Sequence, residues 1–171
     1  METETAMIYV TLKMRLICTN AQVHILEDYQ IKYEEEVRRL MAYYERNGTL
    51  IRLCNLSDYV SVRSKPMLVK DAKRYLKKGG VQEKIMPSFH SASYQLDTNR
   101  LRVCFGKAFQ VPYLDLSMQM DKPRNFEDYI LRTLHLKWIN QEIYAYVCAL
   151  REEKQEWSYE QTLQKDCINR I

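Results

Sequence analysis

Apolar and polar residues alternate from Met7 to Cys18, with Ile8, Val10, Leu12, Met14 and Leu16 on one side and Tyr9, Thr11, Lys13 and Arg15 on the other. A period of two sends successive side chains to opposite faces, so the stretch predicts a long, half-buried strand. The period then lengthens. Thr19 precedes Gln22 by three positions, the capping-box spacing, and Val23, Leu26, Gln30, Tyr33, Val37, Leu40 and Tyr44 follow at steps of three and four. That pattern predicts a helix of about seven turns, closed at Asn47-Gly48, where glycine can turn left-handed. Its acids, Glu27, Asp28, Glu34, Glu35 and Glu36, fall towards the first half, and Arg38, Arg39 and Arg46 lie in the second, as the helix dipole favours.

Residues 49–63 fit a short helix and irregular structure equally. A second helix is predicted from a cap at Ser64 or Lys65, with Pro66 in its first turn, an apolar stripe of Leu68, Ala72, Tyr75 and Leu76, and a stop at Gly79-Gly80. After Pro87 the chain becomes β-like. "SASYQL" and "RLRVCF" form a predicted hairpin about Asp97-Thr98-Asn99, with Leu101, Val103 and Phe105 facing in and Arg100, Arg102 and Cys104 facing out. "LRTLHLKW" and "IYAYVCAL" form a second about "INQE". Residues 153–171 read as a charged tail with helical potential after Ser158. The expected class is α+β: a small antiparallel β-barrel from residues 6–18 and 88–152, with a helical insertion, residues 19–87, between its first and second strands.

Little in the chain suggests catalysis. With four glycines there is no GxxxxGK[ST], GxGxxG or GxSxG loop to cradle phosphate or present a nucleophile. His24, His90 and His135 have no ligand-spaced Cys, His or acid beside them, and Glu34, Glu35 and Glu36 are consecutive, so on a helix they point in different directions. No cofactor or metal is expected. The five cysteines are scattered without a CxxC pair, which suits reduced thiols in a cytoplasmic protein. The first residues carry acids where a secretory leader carries positive charge, and no apolar run nears the roughly 20 residues of a membrane span.

Charge is uneven. The chain carries +4 overall, yet residues 63–84 hold eight bases (Arg63, Lys65, Lys70, Lys73, Arg74, Lys77, Lys78 and Lys84) against Asp71 and Glu83, a local charge of +6. Helical positions three and four apart share a face, so Lys70, Lys73, Arg74 and Lys77 can form one cationic ridge. Four phosphate contacts would give a salt slope of roughly three. An ordinary lysine-rich, solvated helix has the same composition. Arg100, Arg102, Lys107, Arg124, Arg132 and Lys137 lie in or near the expected sheet, so insertion and barrel could line one channel suited to nucleic acid.

In this layout the chain resembles the front part of the TnpB (OrfB-type) family of transposon-encoded, RNA-guided nucleases, relatives of the type V CRISPR effectors. The resemblance runs over about residues 7–153. It is carried by "IYVTLKMRLICTNAQVHIL", with Arg15, Leu16 and Thr19 at the strand-to-helix step; the basic helix "VKDAKRYLKKGG"; "PSFHSASYQL" with Pro87 and Phe89; the hairpin "RLRVCF"; and the strand pair "TLHLKWINQEIYAYVCALREE". It implies a wedge-type barrel with a helical recognition segment, gripping a guide-type RNA and the double-stranded DNA beside the target. Lys70, Lys73, Arg74, Lys77 and Lys78 would then take phosphates, Arg100, Arg102 and Lys107 would hold backbone beside the barrel, and Tyr75 would stack or pack. The family's Gly-x-Asp-x-Gly strand and later metal-binding carboxylates are missing, and Asp166 has neither flanking glycine nor apolar strand. Two metal ions need several converging carboxylates. The expectation is thus a truncated or non-catalytic chain, working with a separate nuclease chain if at all. A small protein-interaction adaptor and an accessory subunit of a multi-chain nuclease are the alternatives.

Overall fold

The computed structural model describes residues 3–120 and 125–156. Strand β1 (Thr3–Ile17) leads into helix α1 (Asn20–Asn47), then helix α2 (Lys65–Lys77), and then six strands: β2 (Ser88–Phe89), β3 (Tyr94–Leu96), β4 (Arg100–Cys104), β5 (Tyr113–Gln119), β6 (Tyr129–Ile139) and β7 (Glu142–Glu156). All pairings are antiparallel, in the order β2-β6-β7-β1-β5-β4-β3. The sheet curls into a half-barrel rather than a closed barrel. Its edges, β2 and β3, do not pair with each other, but the Tyr94 hydroxyl on β3 donates to the Arg132 carbonyl on β6 and draws the two sides together.

Alternation decides what faces inward. Leu12, Met14 and Leu16 of β1, Leu101 and Val103 of β4, Leu114, Leu116 and Met118 of β5, Leu134 and Leu136 of β6, and Ile143, Ala145 and Val147 of β7 are buried on the concave side. Burying one large aliphatic side chain is worth about 1.5–3 kcal/mol, and this face supplies the bulk of the core. Helix α1 begins as its sequence dictates: Gln22 N–H donates to the Thr19 hydroxyl at 3.2 Å, and Thr19 N–H donates to the Gln22 side-chain oxygen at 3.0 Å. It ends at Gly48, φ +71°, whose N–H reaches the Tyr44 carbonyl.

α1, between β1 and β2 in the chain, shares the core of the sheet. Leu26, Tyr29, Tyr33, Val37 and Leu40 are fully buried in the same cluster as the sheet. Tyr29 stacks on Phe89 at 5.4 Å and meets Phe105 at 4.7 Å and Phe109 at 5.3 Å, closing one side of the core with aromatic contacts. Between α1 and α2 the chain is irregular with two 3-10 turns, Leu53–Asn55 and Val62–Ser64. Its Asp58 and Tyr59 carbonyls accept from Ala108 and Gly106 N–H. Gly106 is required there: a Cβ would stand 2.0 Å from the Asp58 oxygen.

Several boundaries differ from expectation. The sheet runs from Thr3 to Glu156, paired with each other, so residues 153–156 extend β7 instead of opening a tail. Strand β5 was not foreseen, and Ser91–Ser93 form a 3-10 turn, leaving only Tyr94–Leu96 in the first hairpin's leading strand. The hairpin turns fall as expected, the second tightening to Asn140 and Gln141 at φ +49° and +69°. Arg124, Asp166 and the segment after Ser158 lie outside the described residues. Among the described residues no helix is long and apolar enough to cross a membrane.

Candidate nucleic-acid interface

Helix α2 buries Leu68 and Ala72 and points Lys70, Lys73 and Lys77 at solvent, as a stripe of that spacing demands. Lys78 is its C-cap, exposed. Arg74 is different: half-buried, it reaches Asp71 at 3.4 Å and lies over the Tyr75 ring at 5.0 Å. Tyr75 packs against the core with its outer face under that guanidinium. Asp71, buried, accepts from the Tyr33 hydroxyl at 2.6 Å and from the Ser88 hydroxyl at 2.8 Å, which locks α2 onto α1 and the β2 edge. Burial, with the Asp71 charge next to it, pushes the Tyr33 phenol well above its ordinary range.

Ser88 also lies 2.9 Å from His135 Nδ1 on the convex face of β6. Serine has one hydrogen to give; when Asp71 takes it, His135 Nδ1 carries the proton and donates to Ser88. Burial first, then the charges of Arg74 and Lys70, lower the His135 pKa, with Asp71 opposing them. Lys70 and Arg74 of α2 thus adjoin the outer face of the sheet, whereas Lys73 and Lys77 stand beside Tyr44 and Leu50.

On that face, direct cross-strand partners share a side. His135 opposes Tyr146, and Lys13 opposes Tyr146 from the other flank; Lys137 opposes Tyr144, and Arg15 opposes Tyr144 in turn. Two rows result across β6, β7 and β1, each a tyrosine between two basic side chains. Lys13 Nζ sits 4.6 Å from the Tyr144 ring centre and 5.8 Å from that of Tyr146. Strands about 4.8 Å apart make each row roughly 10 Å wide. Arg100 is exposed on β4 opposite Ser117, which itself stands beside Ile17 of β1 in strand order.

The sheet arginines fare unequally. Arg102 forms a two-pronged pair with Asp115, at 2.8 and 3.0 Å, and lies 4.2 Å from the Tyr113 ring centre, so its charge is already answered. The hydrogen bond from Arg102 holds the Asp115 carboxyl below its usual range. Lys107 stands in the loop beyond β4, 3.6 Å from Asp58, which also takes Lys65 at 2.7 Å. Of the nine expected site residues, Lys70, Lys73, Lys77, Lys78 and Arg100 are exposed cations, Arg74 and Tyr75 serve the packing of α2, Arg102 is paired, and Lys107 lies in a loop. Lys13, Arg15, Tyr144 and Tyr146 were not among them; alternation alone would have placed each on the outer face.

The opposite end of this face is acidic. A cleft of about 870 Å³ is lined by Met7, Ile130, Leu150, Glu127, Asp128 and Glu152, among others. Among the described residues no group of three His, Cys, Asp or Glu side chains is placed to hold a metal ion. No protein-family model matches the chain, and no curated protein matches it.

Proposed function

We propose that this chain binds nucleic acid through the outer face of its sheet and the adjoining ridge of α2, in the manner of the front part of a TnpB-like protein, and does not cut it unaided. One observation carries the reading. Exposed Lys13, Lys137 and Arg100 stand on the same sheet face that α2 borders with Lys70, while the acids within that strip, Glu142 and Asp115, are paired to Arg15 and Arg102. An excess of cations over acids on one side is what a polyphosphate backbone needs, and their attraction weakens with salt because releasing counterions then gains less. By the resemblance, the ligands are a structured guide-type RNA and the duplex beside its target, and the chemistry belongs to a separate nuclease chain.

The test is affinity for a structured RNA and a short DNA duplex, followed as salt rises from about 50 to 200 mM. Tight binding that collapses over this range supports the reading; no binding at low salt ends it. Cleavage by the chain alone with Mg²⁺ would overturn its non-catalytic part. A protein-adaptor role draws on a different observation: Met7, Tyr9 and Ile130 are exposed beside the acidic cleft. A partner held there would bind with little salt dependence.

A further inference from the structure

We infer that the outer face of β7 is a stacking platform for unpaired nucleotides, with Tyr144 and Tyr146 as the rings that receive bases. This deepens the nucleic-acid reading and rests on it. Residues two apart on one strand lie about 6.8 Å apart on the same face, roughly twice the 3.4 Å rise between stacked bases, so two rings side by side suit a short run of an extended strand. Exposed sheet aromatics flanked by cations are a general device for single-stranded ligands, because every base has a π-face and every linkage a charge.

Both requirements are met here by independent pairings. Tyr144 lies between Arg15 and Lys137, and Tyr146 has the cation Lys13 on one flank and the neutral, half-buried His135 on the other. The core lies on the opposite face, so folding does not call for two half-exposed rings at these positions. The Tyr144 hydroxyl donates to Glu142 at 2.7 Å, which fixes the ring by its polar end, and Arg15 at 3.4 Å neutralises that carboxylate. Lys13 covers the rings with a long, flexible chain. An arriving base takes the ring face while the ammonium swings to the adjoining phosphate. A duplex cannot do this, since its bases are stacked inside and its backbone meets only the cations.

Fluorescence anisotropy of the full chain with oligo(U), oligo(dT) and a hairpin duplex tests the platform. The Tyr144→Leu/Tyr146→Leu variant should weaken both single-stranded oligomers about tenfold for each ring removed, and the hairpin less than about twofold. Tyr144→Phe/Tyr146→Phe keeps the stacking faces and should bind like the parent. Should the double leucine variant fail to fold, Tyr144→Leu and Tyr146→Leu singly read the same contrast. Tighter binding of oligo(U) assigns the strand as RNA, of oligo(dT) as DNA; either supports the platform. If the duplex binds but the leucine variant leaves single strands unaffected, or all three ligands weaken together, the platform is wrong while the wider reading stands. If the parent binds no oligomer, both fall.

Discussion

The same strands carry two faces, and they answer to different demands. On the concave side Met14, Leu101, Leu116, Leu134 and Leu136 are fully buried and fill the space around α1. On the convex side Lys13, Arg15 and Lys137 are exposed on the strands that flank Tyr144 and Tyr146. Burial constrains the first face to volume and shape, whereas the second is nearly free of folding demands. What has collected there is consequently the better guide to what the molecule touches.

The contrast can be broken most sharply in the core. Leu134→Ala should cost about 2–5 kcal/mol in urea unfolding, because a cavity is left where nothing can relax fully, while Lys137→Ala one face away should stay within about 0.5 kcal/mol and change affinity for nucleic acid instead. Equal costs would mean that the convex side is buried in some unrecognised way.

Two neighbouring tyrosines sharpen the same point at smaller scale. Tyr33→Phe removes a buried hydroxyl that donates to Asp71, leaving the carboxylate short of a partner, and should destabilise by about 1–3 kcal/mol. Tyr29→Phe deletes a buried hydroxyl that has no partner among the described residues, so it should be neutral or stabilise by up to about 1 kcal/mol. Thermal melting of the two variants distinguishes them by sign.

The smallest effect is on pH. His135 is held below its ordinary value of 6.5 in the folded chain, so as pH falls the unfolded chain takes up the proton first. Stability is full above that value and is lost as pH drops below it towards the folded pKa. Comparing melting temperatures at about pH 7.5 and 5.5 should give a decline that His135→Gln reduces. An unchanged decline in the variant would assign it to other groups.

Much of this was legible in the residues themselves. The period of two in β1, the Thr19-Gln22 box, the Gly48 cap and both hairpin turns each state a local conformation that packing leaves intact. β5 alternates just as cleanly, yet its outward Asp115 and Ser117 are poor strand formers, and Asp115 is accommodated by Arg102 across the ladder, a partner visible only once β4 and β5 pair. The two-residue β2 and the open edges depend on contacts with α2 and β6, which no local pattern encodes. The cations of α2 were legible because they are consecutive turns of one helix. The rows around Tyr144 and Tyr146 were not, because Lys13 and Arg15 come from one end of the chain and the tyrosines from the other, joined by the long β1–β7 ladder. Likewise, Arg102's pairing to Asp115 shows that an outward basic residue is not automatically a free one.

The most direct test of the convex face is the salt dependence of affinity for a structured RNA, measured for the parent and for Lys13→Glu/Lys137→Glu. The expected result is a parent slope of log affinity against log salt of about −3 or steeper, reduced by about two in the variant with its melting temperature unchanged. A parent affinity indifferent to salt, or a variant that binds as the parent does, would contradict the assignment of this face to nucleic acid.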